Sequence, residues 1–345
     1  MGIAIKDLIV AKEITLDDLR NKVLSVDTSN MLYQFLSSIR QPDGSLLSDS
    51  HGAITSHLIG LFSRIPNLME KEMKFVFVLD GKVPDLKREE QQRRKELKIE
   101  AQKKYEEAVK KEDLVEMKKY AARTTRLTKD MIDEAVKLIE ALGLPVIQAP
   151  SEGEAQAAHI VKNRDAFACL TQDFDALMFG APKLVRNLNI AGKRKKTSKL
   201  AYETIKPELI DLSENLNNLG IDNDQLIALS MLVGTDYNTS GIKGIGPKNA
   251  LKLIKKYKSD FDTLFKEVKW DENFKFPWTE VFYLIKKIPI TNDYKLEWKE
   301  IDKNKILKIL VDQHDFSEER VSNTLHKLTE ETEKKKQKGL TDFFK

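Results

Sequence analysis

Short runs of apolar, β-branched and aromatic residues alternate along this chain with stretches of helical period. Residues 23–26 (Val-Leu-Ser-Val) and 75–79 (Phe-Val-Phe-Val-Leu) have strand character, and each is followed at once by an aspartate, Asp27 and Asp80. Residues 144–148 and 166–170 read the same way. Between them, 55–62 and 131–142 carry apolar positions at helical spacing, and the second stops at Gly143, a residue suited to the left-handed turn that ends a helix. Strands alternating with helices predict an α/β fold with a mainly parallel central sheet flanked by helices. In such sheets the functional crevice lies beyond the carboxyl ends of the strands, where Asp27, Asp80 and Asp173 would fall.

Two stretches depart from this pattern. From 82 to 129 the chain is almost continuous Lys, Arg, Glu and Gln, with strong helical propensity and few core-forming faces. Taken alone it is a solvated charged helix pair; the functional alternative is a basic helical element that grips a strand. From 226 to 257 two helical patterns flank the turn Gly-Ile-Lys-Gly-Ile-Gly-Pro-Lys at 241–248. Residues 330–345 read as a charged, flexible tail ending in Phe343 and Phe344, and no internal repeat is visible. The expected organisation is one domain over 1–328 (an N-terminal region 1–100, the charged helices at about 82–130, and an internal region at about 131–258), followed by the tail at 329–345.

With 345 residues and 41% hydrophobic content, a buried core is within reach. The 58 Lys and Arg against 54 Asp and Glu leave a net charge of only +4, so any surface for a polyanion must come from segregated charge. Cys169 is the single cysteine and sits in a core-strand pattern, which excludes an internal disulfide and suits a reducing compartment. No apolar run approaches the roughly 20 residues of a membrane span, and the first residues lack the apolar stretch of a secretion signal. The expectation is an intracellular protein outside the membrane.

Seven carboxylates stand at expected strand ends or helix starts: Asp27, Asp80, Glu152, Glu154, Asp173, Asp175 and Asp236. Any one of them is ordinarily a helix cap or turn former. Seven aimed at one crevice would repel one another, so either cations bind there or several stay protonated, and cations are the less costly arrangement. Oxygen donors without Cys or His suit magnesium or manganese rather than structural zinc. Two such ions about 3.5–4 Å apart would serve phosphodiester hydrolysis. The spacing of Glu152 and Glu154 places the pair at the start of a helix near Ala155, where the positive helix end favours anions.

These motifs, Asp27-Thr-Ser-Asn-Met-Leu-Tyr33, Val-Leu-Asp80-Gly-Lys, Ala-Pro-Ser-Glu152-Gly-Glu154-Ala, Thr-Gln-Asp173-Phe-Asp175 and Gly-Thr-Asp236-Tyr with Gly244-Ile-Gly246-Pro-Lys248, closely resemble the flap endonucleases of archaea and eukaryotes, in order and over the whole chain. The resemblance implies a PIN-like 5′ nuclease fold with a helical arch and a helix–two-turn–helix element. It implies that the seven carboxylates hold two Mg2+ (Mn2+ as a substitute), with Asp80, Glu152, Glu154 and Asp173 nearest one ion, Asp175 and Asp236 placing the second, and Asp27 acting through water. Lys87 and Arg94 would be the cations on the scissile phosphate, Tyr33 a stacking platform for a base, and Gly2 a terminus beside the active site. Gly244, Gly246 and Lys248 would hold duplex DNA, together with K+. Arg40, Thr55, Arg64 and Arg320 match segments near the bent duplex and the 3′-flap pocket.

The charged helices correspond to the arch through which a free 5′ end threads, and ordering on the correct substrate would couple selection to assembly of the site. In the tail, Gln337, Leu340, Phe343 and Phe344 match the anchor by which a partner binds a sliding clamp (PCNA). The implied activity is 5′-flap cleavage with 5′–3′ exonuclease action, in Okazaki fragment maturation and base excision repair, by a protein monomeric apart from the clamp. It would reside in the cytoplasm of an archaeon or the nucleus of a eukaryote. The alternatives are a non-catalytic DNA and clamp adaptor, or a 5′ exonuclease or bubble-cutting relative on the same scaffold.

Overall fold

The computed structural model describes residues 2–121, 123–190, 192–195 and 202–343, with backbone alone at 190, 192–195, 202–204 and 331–343. Its centre is a seven-stranded mixed sheet. In chain order the strands are β1 (Lys12–Glu13), β2 (Val23–Asp27), β3 (Lys74–Leu79), β4 (Val146–Gln148), β5 (Ala168–Leu170), β6 (Lys183–Arg186), β7 (Gly192–Lys195), β8 (Tyr202–Ile205) and β9 (Glu208–Asp211). The sheet runs β1-β9-β6-β5-β2-β3-β4, while β7 and β8 form a separate hairpin. From β6 to β4 every neighbour is parallel, and β9 and β1 close the far edge antiparallel.

Side chains alternate across the pleat, so one strand feeds two cores. Phe75 and Phe77 of β3 enter one, with Leu24 and Val26; Val76 and Val78 enter the other, with Cys169. The first core is covered by α1 (Thr28–Ser38), α2 (Ser56–Glu70), α5 (Lys129–Ala141) and the C-terminal helix Glu318–Phe343. The second is covered by α6 (Gly153–Lys162), α7 (Asp175–Met178), α8 (Leu212–Leu219), α9 (Asn223–Val233) and α10 (Pro247–Tyr257). The two remaining helices before α5, α3 (Arg88–Lys110) and α4 (Leu114–Ala121), pack on each other as the charged arch.

Several boundaries differ from the sequence reading. Helix α2 runs through Pro66 to Glu70, beyond the helical pattern expected over 55–62. Gly143 does end its helix in left-handed backbone, φ +77°. The stretch expected as a flexible tail continues the last helix as far as Phe343, because 330–339 is rich in Glu, Lys and Gln, which favour helix without a core to face. Phe344 and the side chains of Gln337, Leu340 and Phe343 lie outside the described ones.

Candidate active site

The carboxyl edge of the parallel strands carries most of these acidic residues, and five of them are held by a donor from outside the arch. Asp27 ends β2 and caps α1, accepting from Asn30 N at 3.0 Å. Asp80 follows β3 and accepts from Gly153 N at 2.8 Å. Glu152 is the N-cap of α6 and Glu154 lies in its first turn, where Thr171 Oγ1 donates to Glu154 Oε1 at 2.9 Å. Asp173 follows β5 and accepts from Asn30 Nδ2 at 3.0 Å, while Asp175 opens α7 and accepts from Ile3 N at 2.7 Å. Asp236 corrects the expected pattern: it sits in a turn after the end of α9, neither a strand end nor a helix start. All seven nevertheless line one cavity of about 790 Å³, together with Gly2, Tyr33, Lys87 and Arg94.

The loops bearing Asp80 and Glu152 are zipped together. Gly81 N donates to Ser151 O at 2.6 Å and Lys82 N to Pro150 O at 3.1 Å, so pairing continues past the ends of β3 and β4. A Cβ on Gly81 would lie 2.0 Å from Ala149 O, which only glycine avoids. Gly2 is equally confined, since a Cβ there would lie 2.6 Å from Asp173 Cβ.

Crowding shows in the protonation of these groups. Burial, then the neighbouring Asp80, pushes Asp27 up to about 8. Burial, then Asp173 and Asp236, raises Asp175 to about 7, and burial with Asp175 and Asp27 lifts Glu154 well above the carboxylate range. Burial also raises Glu152, opposed by Lys87. Buried anions that resist ionisation are what a donor set for hard cations looks like without them. Among the described residues, no three Asp, Glu, His or Cys side chains are placed close enough together to hold a metal ion as they stand. Protein cations are interposed instead: Lys87 Nζ lies 2.6 Å from Glu152 Oε2 and 3.3 Å from Asp236 Oδ2, and Arg94 Nη2 donates to Asp236 Oδ1.

These cations enter from the arch. Lys87 ends a short 3-10 turn, Asp85–Lys87, and is the N-cap of α3, while Arg94 lies within that helix; both reach Asp236. Burial opposes the charge of Lys87, but Glu152 and Asp236 outweigh it and hold the ammonium protonated. Tyr33 projects from α1 at 39% exposure, with Lys98 Nζ 5.2 Å from its ring centre, so it is not a core tyrosine.

Models of the XPG N-terminal domain and the XPG I-region match residues 2–101 and 143–236. The chain is 49% identical to flap endonuclease 1 of Thermococcus onnurineus, over 100% of this chain and 99% of that one. It is 50% identical to flap endonuclease 1 of Hyperthermus butylicus, over 95% and 94%. The chain belongs to the flap endonuclease family. The solved flap endonuclease-1 of Methanococcus jannaschii superimposes with a TM-score of 0.75 at 40% identity, covering 97% of this chain and 100% of that one. The fold, including the arch over the carboxylate edge, is thus the 5′ nuclease fold expected from the sequence.

The other residues singled out in the sequence lie farther out. Gly244, φ +83°, and Gly246, the N-cap of α10, have open space where a Cβ would stand, and Lys248 is exposed in the first turn of α10. That leaves backbone N–H groups and an ammonium free to meet a phosphate. Arg40 donates to Gly44 O at 2.7 Å and to Thr125 Oγ1, Thr55 is buried at the start of α2, and Arg64 and Arg320 are exposed on α2 and the C-terminal helix. None of these four lines the carboxylate cavity. The loop at 40–55 meets the 312–316 segment through Asp315 Oδ2, which accepts from Ser50 N at 2.8 Å, and through Asp49 and His314, 2.8 Å apart. Sequence reasoning missed Asn30, which serves Asp27 and Asp173 at once, and Thr171. It also missed Glu90, whose carboxyl burial would raise but which hydrogen bonds from Arg93 and Arg94 hold down at about 2.

Proposed function

We propose that this chain hydrolyses DNA at 5′ flaps, with 5′–3′ exonuclease action, in Okazaki fragment maturation and base excision repair. The observation that carries the reading is the convergence of seven carboxylates from distant segments on one cavity roofed by Lys87 and Arg94. Asp80, Glu152, Glu154 and Asp173 would hold one Mg2+ and Asp175 and Asp236 a second, with Mn2+ as a substitute and Asp27 acting through water. Bound there, such ions supply an activated water and neutralise the phosphodiester. Lys87 and Arg94 would turn from the carboxylates to the scissile phosphate as it arrives, and Tyr33 offers a face for the adjoining base.

The open hairpin at Gly244, Gly246 and Lys248 supports duplex binding by shape and phosphate contact, with K+ as its companion ion; none of these groups reads base edges. Gln337, Leu340, Phe343 and Phe344 would anchor a sliding clamp. Among the described residues, no helix is long and apolar enough to cross a membrane. A complete carboxylate set favours the nuclease over a non-catalytic adaptor. The test is cleavage of a labelled double-flap DNA with magnesium by the protein, Asp80→Ala and Asp175→Ala. Cutting should fall by about 10³-fold or more in both variants while DNA binding persists. Undiminished cutting by Asp175→Ala would remove the second ion from the scheme.

A further inference from the structure

Glu90 is a carboxylate in the roof of the site. It lies in the first turn of α3, and only 4% of it is exposed although it belongs to an otherwise solvated helix. Its two oxygens accept four hydrogen bonds: from Arg93 Nε at 2.6 Å and Nη2 at 2.8 Å, from Arg94 Nε at 2.6 Å, and from Thr239 Oγ1 at 3.0 Å. The arginines are neighbours three and four positions on, an ordinary helix pairing. Thr239 is not; it comes from 149 positions away, in the loop that leads from Asp236 to the glycine turn before α10.

The geometry has a direction. A guanidinium is a planar fork, so fixing Nε of Arg94 on Glu90 fixes the plane in which its other nitrogens point. Nη2 of that same plane donates to Asp236. Thr239, Glu90, Arg94 and Asp236 therefore form a continuous chain from the hairpin loop, through the base of the arch, to the metal-binding edge.

We propose that Glu90 is a positioning residue that couples seating of the duplex on the hairpin to the orientation of Arg94, with Thr239 as the hairpin's contact. In this role Glu90 acts through Arg94, its partner that donates to Asp236. The proposal rests on Arg94 as the cation of the scissile phosphate. A displaced or unloaded loop between α9 and α10 would let Thr239 withdraw from Oε2, leaving Glu90 held by the arch's own Arg93 and Arg94 alone, and the Arg94 fork would lose its tie to that loop.

Single-turnover cleavage of a double-flap DNA with magnesium tests this, alongside DNA affinity measured in a chelator. Glu90→Gln should lower the maximal rate by about 30-fold and Thr239→Val by about 5- to 10-fold, with the dissociation constant changed by less than about twofold. The double variant should be no slower than Glu90→Gln alone, because both act on one chain of contacts. Thr239→Ser, which keeps the hydroxyl, should restore the rate. Thr239→Val cutting at the wild-type rate, or losses that multiply in the double variant, would overturn the proposal. Should Glu90→Gln melt below the assay temperature, the Thr239→Val and Thr239→Ser pair decides alone. Arg94→Ala separates the two levels: a wild-type rate there rejects the role given to Arg94, whereas a slow Arg94→Ala with a fast Thr239→Val rejects only the coupling.

Discussion

The carboxylate edge and the arch that faces it are built on opposite principles. The edge rests on strands buried on both faces, and each of five carboxylates has a hydrogen-bond donor from outside the arch, backbone or side chain, within 3.0 Å. Over its 23 residues α3 buries only Glu90, Ala101 and Ala108, while Leu97, Ile99 and Val109 stay exposed. An element with so little apolar burial opens at low cost, whereas the edge opens only with the global fold. The spacing of the carboxylates therefore resides in the sheet, and Lys87 and Arg94, the cations proposed to meet the phosphate, reside at the base of the element with the least apolar burial.

Four perturbations test that division. Phe75→Ala, in the fully buried core under the edge, should destabilise the protein by about 3–5 kcal/mol, read by denaturant melting; a loss below 1 kcal/mol would mean the edge is not supported from beneath. Lys87→Ala should cut the single-turnover rate by about 10²–10³-fold while leaving the melting temperature nearly unchanged. A drop in stability as large as that of Phe75→Ala would place Lys87 in the scaffold instead.

The third perturbation is pH. Without divalent metal, Asp27 and Asp175 keep protons in the folded state up to about 8 and about 7, while an unfolded chain releases them near pH 4. Between those limits the folded state binds more protons, so stability falls as pH rises. In a chelator the melting temperature should drop by on the order of 5 °C from pH 5.5 to 8.5, and magnesium should shrink that drop. The smallest effect belongs to the arch: Leu114→Ala, at a site 58% exposed, should change global stability by less than about 0.5 kcal/mol.

What the sequence made legible follows from the range of the forces involved. Asp27 and Asp80 could be placed because strand patterns end at them, and strand ends in a parallel sheet share one edge. The arch was visible as a change in composition. Lys87 was assigned to a helix because spacing alone does not register the short turn after Pro84. Asn30, Thr171 and Glu90 were invisible because a polar side chain acquires its meaning from partners up to 149 positions away, which no local pattern encodes. Asp236 was counted with the residues at expected strand ends or helix starts, although it lies in a turn after α9.

The bonded loops at Gly81 and Ser151 give Asp80 and Glu152 a common carrier. Two backbone hydrogen bonds join the loops, so neither carboxylate can shift far without carrying the other loop with it. A gap held in this way tolerates heat better than one spanning two unconnected segments, and a methyl group at position 81, 2.0 Å from Ala149 O, would act as a wedge between the two loops.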